Sequence, residues 1–248
     1  MIEAYFRPTD LAEALEILSR KDGKYLPLGG GVTLSSGVDQ AVSLVDLQLL
    51  GLNELRQEGQ FLQIGATAKL QDLAVSSHIQ PELKKALLAE ANINLRQQAT
   101  AAGALITANG RSAFGTAFLA LDAVLAWLPG ETEQSIGDYF TLRIPPRGAR
   151  LITKIQIPLN CVFSFEKVAR TPDDLPILCI AMARWPSGRT RIALGGYGSG
   201  PVLAFDAPEA GGVAEAVRDA LSRADDVWAS AAYRQDVGAK LVLRMMAG

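Results

Sequence analysis

The chain has 248 residues, 49% apolar and 20% charged, with a net charge of −2 and a pI near 5.6. That excludes a disordered chain and leaves room for one large or two small packed domains. With no Lys/Arg run, no stretch near the roughly 20 apolar residues of a membrane span, and an acidic N-terminus (MIEAYFRPTDLAEALE) without an apolar signal core, neither nucleic acid nor a membrane is the expected partner, and a cytoplasmic location is expected.

Tyr5 and Phe6 read as strand, stopped at Pro8-Thr9-Asp10. Asp10 with Glu13 resembles a capping box for a helix carrying Leu11, Leu15 and Leu18 on one face. Lys24 to Leu28 is a second short strand, entering Gly29-Gly30-Gly31. Ser43 to Leu47 and Phe61 to Thr67 are the third and fourth, with a hairpin turn at Glu58-Gly59 before the latter. Leu70 and Leu73, then Leu83 and Leu87, mark helical faces separated at Pro81. The segment NLRQQATAAGALITANGRS lacks bulk and reads as a second small-residue loop. AFGTAFLALDAVLAWLPG reads as a buried helix running into a strand near Trp127. Leu151 to Ile157 is a strand stopped by Pro158. Beyond it, Val162 to Val168, Ile177 to Arg184 and Thr190 to Leu194 suggest an antiparallel sheet. Helices follow over Pro208 to Arg223 and Ala231 to Met246, with Val237, Leu241 and Met245 on an apolar face. Strands followed by helices in each half indicate α+β, with a boundary near Pro158.

Two cysteines, Cys161 and Cys179, cannot ligate a four-cysteine iron–sulfur cluster, and a single histidine argues against zinc. His78 lies in a polar turn and reads as a solvated loop residue. Nothing marks a side-chain acid, base or nucleophile. The three glycines suit either a plain turn or a concave anion site built from bare N–H groups. They match neither GxxxxGK[ST] nor GxGxxG.

The ordered series of segments is similar to the FAD-binding medium subunits of the molybdenum hydroxylases, a group that includes carbon monoxide dehydrogenase and xanthine dehydrogenase. It runs nearly end to end: FRPTDLAEALEIL, LGGGVTL, SLVDL, NELR, LQIGATAKLQDLAVS, TAAGALITANG, FLALDA, IQIP, FEKVARTPDDLPIL, RIALGGYG and ASAAYRQDVGAKLVLRMM. The resemblance implies a vanillyl-alcohol-oxidase-like (PCMH-type) FAD-binding fold over 1–158, in two α+β subdomains. A small antiparallel sheet-plus-helix domain over 159–248 follows. It implies FAD, with the pyrophosphate clamped by Gly29, Gly30, Gly31, Val32, Thr33 and Leu34 from the first loop and by Thr100, Ala102 and Gly103 from the second. Asn109 or Ser112 would meet the ribose in place of the family's acidic residue. Arg111 would reach a phosphate or be exposed. Ile152 would lie beside the cofactor or simply in the core. Lys167 would approach the flavin ring or be an ordinary strand lysine. The implied role is electron transfer from iron–sulfur clusters to NAD or another acceptor. The implied partners are a molybdopterin-binding large subunit and a 2Fe-2S small subunit.

The second loop departs from the family's TIGGN: Ala102 and Ala104 replace a glycine and the asparagine. If position 102 needs positive φ, alanine there costs about 1–2 kcal/mol. The alternative reading is therefore the same fold with lost or weakened FAD binding, acting as a structural or assembly subunit. A standalone FAD oxidase is a third reading, disfavoured for want of an acid/base set.

Overall fold

In the computed structural model, which describes residues 1–33, 40–142 and 149–247, the chain divides into two units. The first comprises Met1–Leu73, Ile93–Thr107 and Val124–Gln156. The second comprises Ala74–Asn92, Ala108–Ala123 and Ile157–Gly248. Both are mixtures of helix and sheet, so the α+β expectation holds.

The first unit opens with β1 (Ile2–Phe6), α1 (Leu11–Ser19), β2 (Tyr25–Leu28) and β3 (Val42–Asp46). The strands form a parallel sheet in the order β1-β3-β2. Parallel strands need crossover connections, and α1 supplies the one from β1 to β2, which flank β3 on either side. The Asp10 carboxylate accepts the Glu13 amide at 2.9 Å, and the Glu13 carboxylate accepts the Thr9 amide at 3.0 Å. This is the expected capping box, closed one residue earlier on its return arm. Ala14 and Ile17 reach deepest, packing with Val45, Leu47 and Leu151, while Leu11, Leu15 and Leu18 flank them half-buried. Every residue of the central strand β3 is buried, Ser43 and Asp46 included, as a strand paired on both edges requires.

A five-stranded sheet follows in the order β4-β5-β8-β6-β7, built from β4 (Leu55–Glu58), β5 (Phe61–Gly65), β6 (Val124–Leu128), β7 (Thr132–Ser135) and β8 (Leu151–Pro158). The β4–β5 hairpin turns at Gly59, with φ of 58°. The helices α2 (Leu70–Val75), α4 (Ile93–Gln98), α5 (Ala101–Ile106) and α7 (Ile136–Leu142) complete this part. Much of the segment over 94–112 expected as one loop is instead two short helices, α4 and α5, joined at Ala99-Thr100. Its small residues pack closely rather than form open loop.

In the second unit, α3 (Pro81–Glu90) starts with Pro81 at its first turn, and α6 (Ala113–Ala120) is buried on all sides. Both accompany an antiparallel sheet, β12-β11-β10-β9, of β9 (Val162–Val168), β10 (Leu178–Arg184), β11 (Thr190–Gly195) and β12 (Val202–Ala207). The fourth strand was not legible in the sequence. One sheet face carries Leu178, Ile180, Met182, Ile192 and Leu194. It packs with Val217 of α8 (Val213–Ala220), with Leu221 at that helix's C-terminal cap, and with Val242 and Met245 of α9 (Ala231–Ala247). Among the described residues no helix is long and apolar enough to cross a membrane.

Candidate functional site

The first glycine loop and the α4–α5 junction lie against each other inside the first unit. A Cβ on Gly30 would stand 1.8 Å from the Gln98 carbonyl oxygen, and one on Gly29 would stand 2.7 Å from Thr100 Oγ1. These two glycines are therefore required by loop-to-loop contact. Gly31 has φ of 74°, where its Cβ would meet nothing closer than Leu28 Cδ1 at 3.5 Å. It sets the direction of the turn. Val32 and Thr33 follow in a turn, and Leu34 lies outside the described residues.

The amides of the two loops are used differently. Ala101 donates to Ala68 O at 2.8 Å, Ala102 to Ala66 O at 3.1 Å, and Ala104 to Thr100 O at 2.9 Å. Gly103 donates to Thr100 Oγ1 at 3.3 Å, so Thr100 caps α5. The segment is laced to 66–70 further by Leu70 N on Ala99 O at 3.0 Å and by Lys69 Nζ on Gln98 O at 3.0 Å. Among the described residues, the half-buried amides of Gly29, Gly30 and Gly31 have no protein acceptor. Most of the donors available to an anion are thus on the first loop; the second loop spends its 101–104 amides internally, keeps the Thr100 amide without an acceptor among the described residues, and braces the first. Ala102 is helical: among the described residues only Asp122 and Glu131 combine a side chain with positive φ, so the feared strain at 102 does not arise.

The other expected site residues are placed as follows. Ile152 is 5% exposed in β8 and pairs across the sheet with Trp127, which makes it a core residue of the first unit. Asn109 and Lys167 belong to the second unit. Asn109 is exposed, and its Oδ1 accepts the Arg111 amide at 2.8 Å. Arg111 does not extend freely: it donates to Pro176 O at 3.0 Å and Leu175 O at 2.7 Å, with its guanidinium 4.5 Å from the Trp228 ring centre. Lys167, half-buried in the edge strand β9, donates to Pro172 O at 2.6 Å. Loops 109–111 and 170–176 are thereby held by backbone carbonyls.

Three residues had escaped the sequence reading. Lys69 is one. Glu90 is another: its carboxylate accepts Phe114 N at 2.8 Å and Ser112 Oγ at 3.0 Å, at the start of α6. Burial pushes this carboxyl up, against the downward pull of the Phe114 and Ser112 hydrogen bonds. The third is Arg234, fully buried, which donates to the carbonyls of Ile177, Ala224, Ala229 and Gly196 and pairs with Asp226 at 2.9 Å. Its position was available from helical spacing, because 234, 238, 242 and 245 line the inner face of α9. Nothing in the sequence pointed to Glu90. His78 is exposed. Cys161 and Cys179 are buried free thiols, with burial pushing them up to about 11 and about 12. No group of three or more metal-ligating side chains occurs among the described residues.

The sequence pattern of the family described as FAD binding domain in molybdopterin dehydrogenase matches residues 1–160. The chain belongs to this family. Membership makes it a flavoprotein component of an oxidoreductase, with FAD as the cofactor. YgfM of Escherichia coli (strain K12) is 30% identical over 256 residues, covering 100% of this chain and 96% of YgfM. The fold matches quinoline 2-oxidoreductase from Pseudomonas putida 86 with a TM-score of 0.81 at 20% identity, over 97% of this chain and 94% of that one. It matches the reconstituted CO dehydrogenase from Oligotropha carboxidovorans with a TM-score of 0.80 at 23% identity, over 97% and 95%. The residues present fit the cofactor: three amides on a bare backbone, without an acceptor among the described residues, are a donor set that suits a diphosphate.

Proposed function

We propose that this chain is the FAD-carrying electron-transfer subunit of a molybdenum hydroxylase. In this reading a separate large subunit holds the molybdopterin and oxidises the substrate, and a small 2Fe-2S subunit relays the electrons. FAD bound here supplies two-electron storage and delivery to NAD or another external acceptor. Residues 1–158 form the FAD-binding part and 159–248 a C-terminal domain, in the cytoplasm. Family membership supports the class. The observation that carries the reading is the row of amides at Gly29, Gly30 and Gly31 that have no acceptor among the described residues, on a loop packed against Gln98 and Thr100.

The chain's own part is binding and tuning. The first-loop amides would hold diphosphate oxygens by hydrogen bonds to charged acceptors, the stronger kind. Lys167 would place a cation near the flavin, favouring negative charge on its reduced form. No acid, base or nucleophile is required of the protein.

The second reading, a chain that keeps the fold but binds FAD weakly, has one specific observation behind it. The amides of 101–104 are all committed within the protein. One experiment separates the two: record the visible spectrum of the purified protein with and without added FAD. Flavin absorption, or uptake of FAD, is expected. A colourless protein that takes up none at saturating FAD removes the electron-transfer reading. Co-purification with a large and a small partner tests the assembly.

A further inference from the structure

The amides of residues 101–104 are all spent within the protein, so the second loop leaves few donors for a diphosphate, and a source of positive charge elsewhere in the first unit would strengthen the cradle. Lys69 follows β5 in the chain and makes a bridge pairing with Thr100. Its Nζ donates to Gln98 O at 3.0 Å, the same oxygen that lies 1.8 Å from the place a Gly30 Cβ would occupy. Adding a carbon–carbon bond length to those two distances puts the ammonium within roughly 6 Å of Gly30 Cα. An ammonium carries three donors, and one is used; among the described residues the other two have no acceptor.

We infer that Lys69 is a cofactor-binding residue: its ammonium, anchored on the Gln98 carbonyl, supplies the fixed positive charge for the diphosphate held on the Gly29–Gly31 amides. This rests on the FAD-binding function proposed above. The chemistry is consistent with the local electrostatics. Partial burial pulls the Lys69 amine down, and the carboxylates of Asp72 and Asp46 restore only part of that. A half-desolvated cation gains more from an arriving anion than a fully hydrated one. A charge at 69 also explains how the cradle tolerates Ala102 and Ala104, since it supplies by Coulomb attraction what the second loop's committed amides cannot.

The test compares the full-length protein with K69Q and K69R, titrating each with FAD at low and high salt and recording thermal unfolding with and without FAD. The expected result is that K69Q weakens FAD binding about tenfold or more and flattens its salt dependence, while the unliganded melting temperature falls by no more than loss of the one Gln98 hydrogen bond accounts for. K69R, which keeps the charge, stays within about threefold of wild type. Adenosine diphosphate, which carries the diphosphate without the flavin, loses affinity in parallel with FAD. The proposal is overturned if K69Q binds FAD within about twofold of wild type. It is also overturned if K69Q lowers the unliganded melting temperature and leaves the salt dependence intact, because Lys69 would then be a loop brace alone. Wild-type protein that takes up no FAD would instead remove the functional reading itself, and Lys69's role with it.

Discussion

Gly30 has no side chain because the Gln98 carbonyl occupies the space one would need, 1.8 Å from the Cβ position. Gly31, its neighbour, has the space and uses glycine for its φ of 74°. Two adjacent glycines in one motif thus answer to different physical demands.

Gly30→Ala therefore pushes the loops apart, whereas Gly31→Ala stresses one backbone angle. Overpacking at 30 is expected to cost about 1–3 kcal/mol and the angle at 31 about 1–2 kcal/mol. Melting temperatures alone would not separate the two. Hydrogen exchange does: G30A is expected to deprotect the Ala101 and Ala102 amides, and G31A to leave them as in wild type. Equal protection in both variants would contradict the brace.

Glu90 gives a pH dependence with a definite sign. Its folded-state carboxyl is raised above the ordinary 4.5. Its contribution is fully present below that ordinary value and is lost as pH rises through the raised one. Glu90→Gln removes the ionisation and keeps an oxygen for Phe114 N. We expect the variant to match or exceed wild type in thermal stability at pH 8 and to lose that advantage near pH 4. A variant less stable at pH 8 than at pH 4, relative to wild type, would reverse the sign.

Arg234 holds four carbonyls and Asp226 from inside the second unit. Arg234→Met leaves Asp226 without its cation and is expected to cost about 3–5 kcal/mol in urea denaturation. Lysine should not rescue it, since an ammonium cannot reproduce the planar fork that reaches these acceptors. Adding Asp226→Asn to the Met variant should recover part of the loss.

Under the proposed function, Lys167→Gln removes a cation that favours the reduced flavin. The two-electron potential of the FAD-loaded protein is expected to fall by roughly 30 mV, equivalent to about 1.4 kcal/mol. Redox titration against dyes of known potential checks it. An unchanged potential would leave Lys167 with only its bond to Pro172 O.

The sequence made the strands and long helices legible because their apolar periods are regular: α1, β3, β5, α6, β8 and α9 stand where periodicity places them. It missed β7 and β12, whose half-exposed residues carry no clear alternation, and α7, whose buried face is only Ile136 and Phe140, one helical turn in a seven-residue segment. The first loop was legible from its three glycines and the family series. How its neighbour spends its amides was not, because Ala101 and Ala102 owe their acceptors to Ala68 and Ala66, some thirty-five residues away and chemically featureless. Lys69 was hidden for the same reason. A lysine after a strand is unremarkable until the chain brings Gln98 to it.

The buried thiols carry a practical consequence. Cys161 and Cys179 are shielded and held as neutral thiols well above physiological pH, so neither competes for a maleimide. A cysteine introduced on an exposed face would become the sole reactive handle of the native chain. A fluorophore attached there would report the arrival of a partner subunit by energy transfer, without first removing the natural cysteines and disturbing the packing around them.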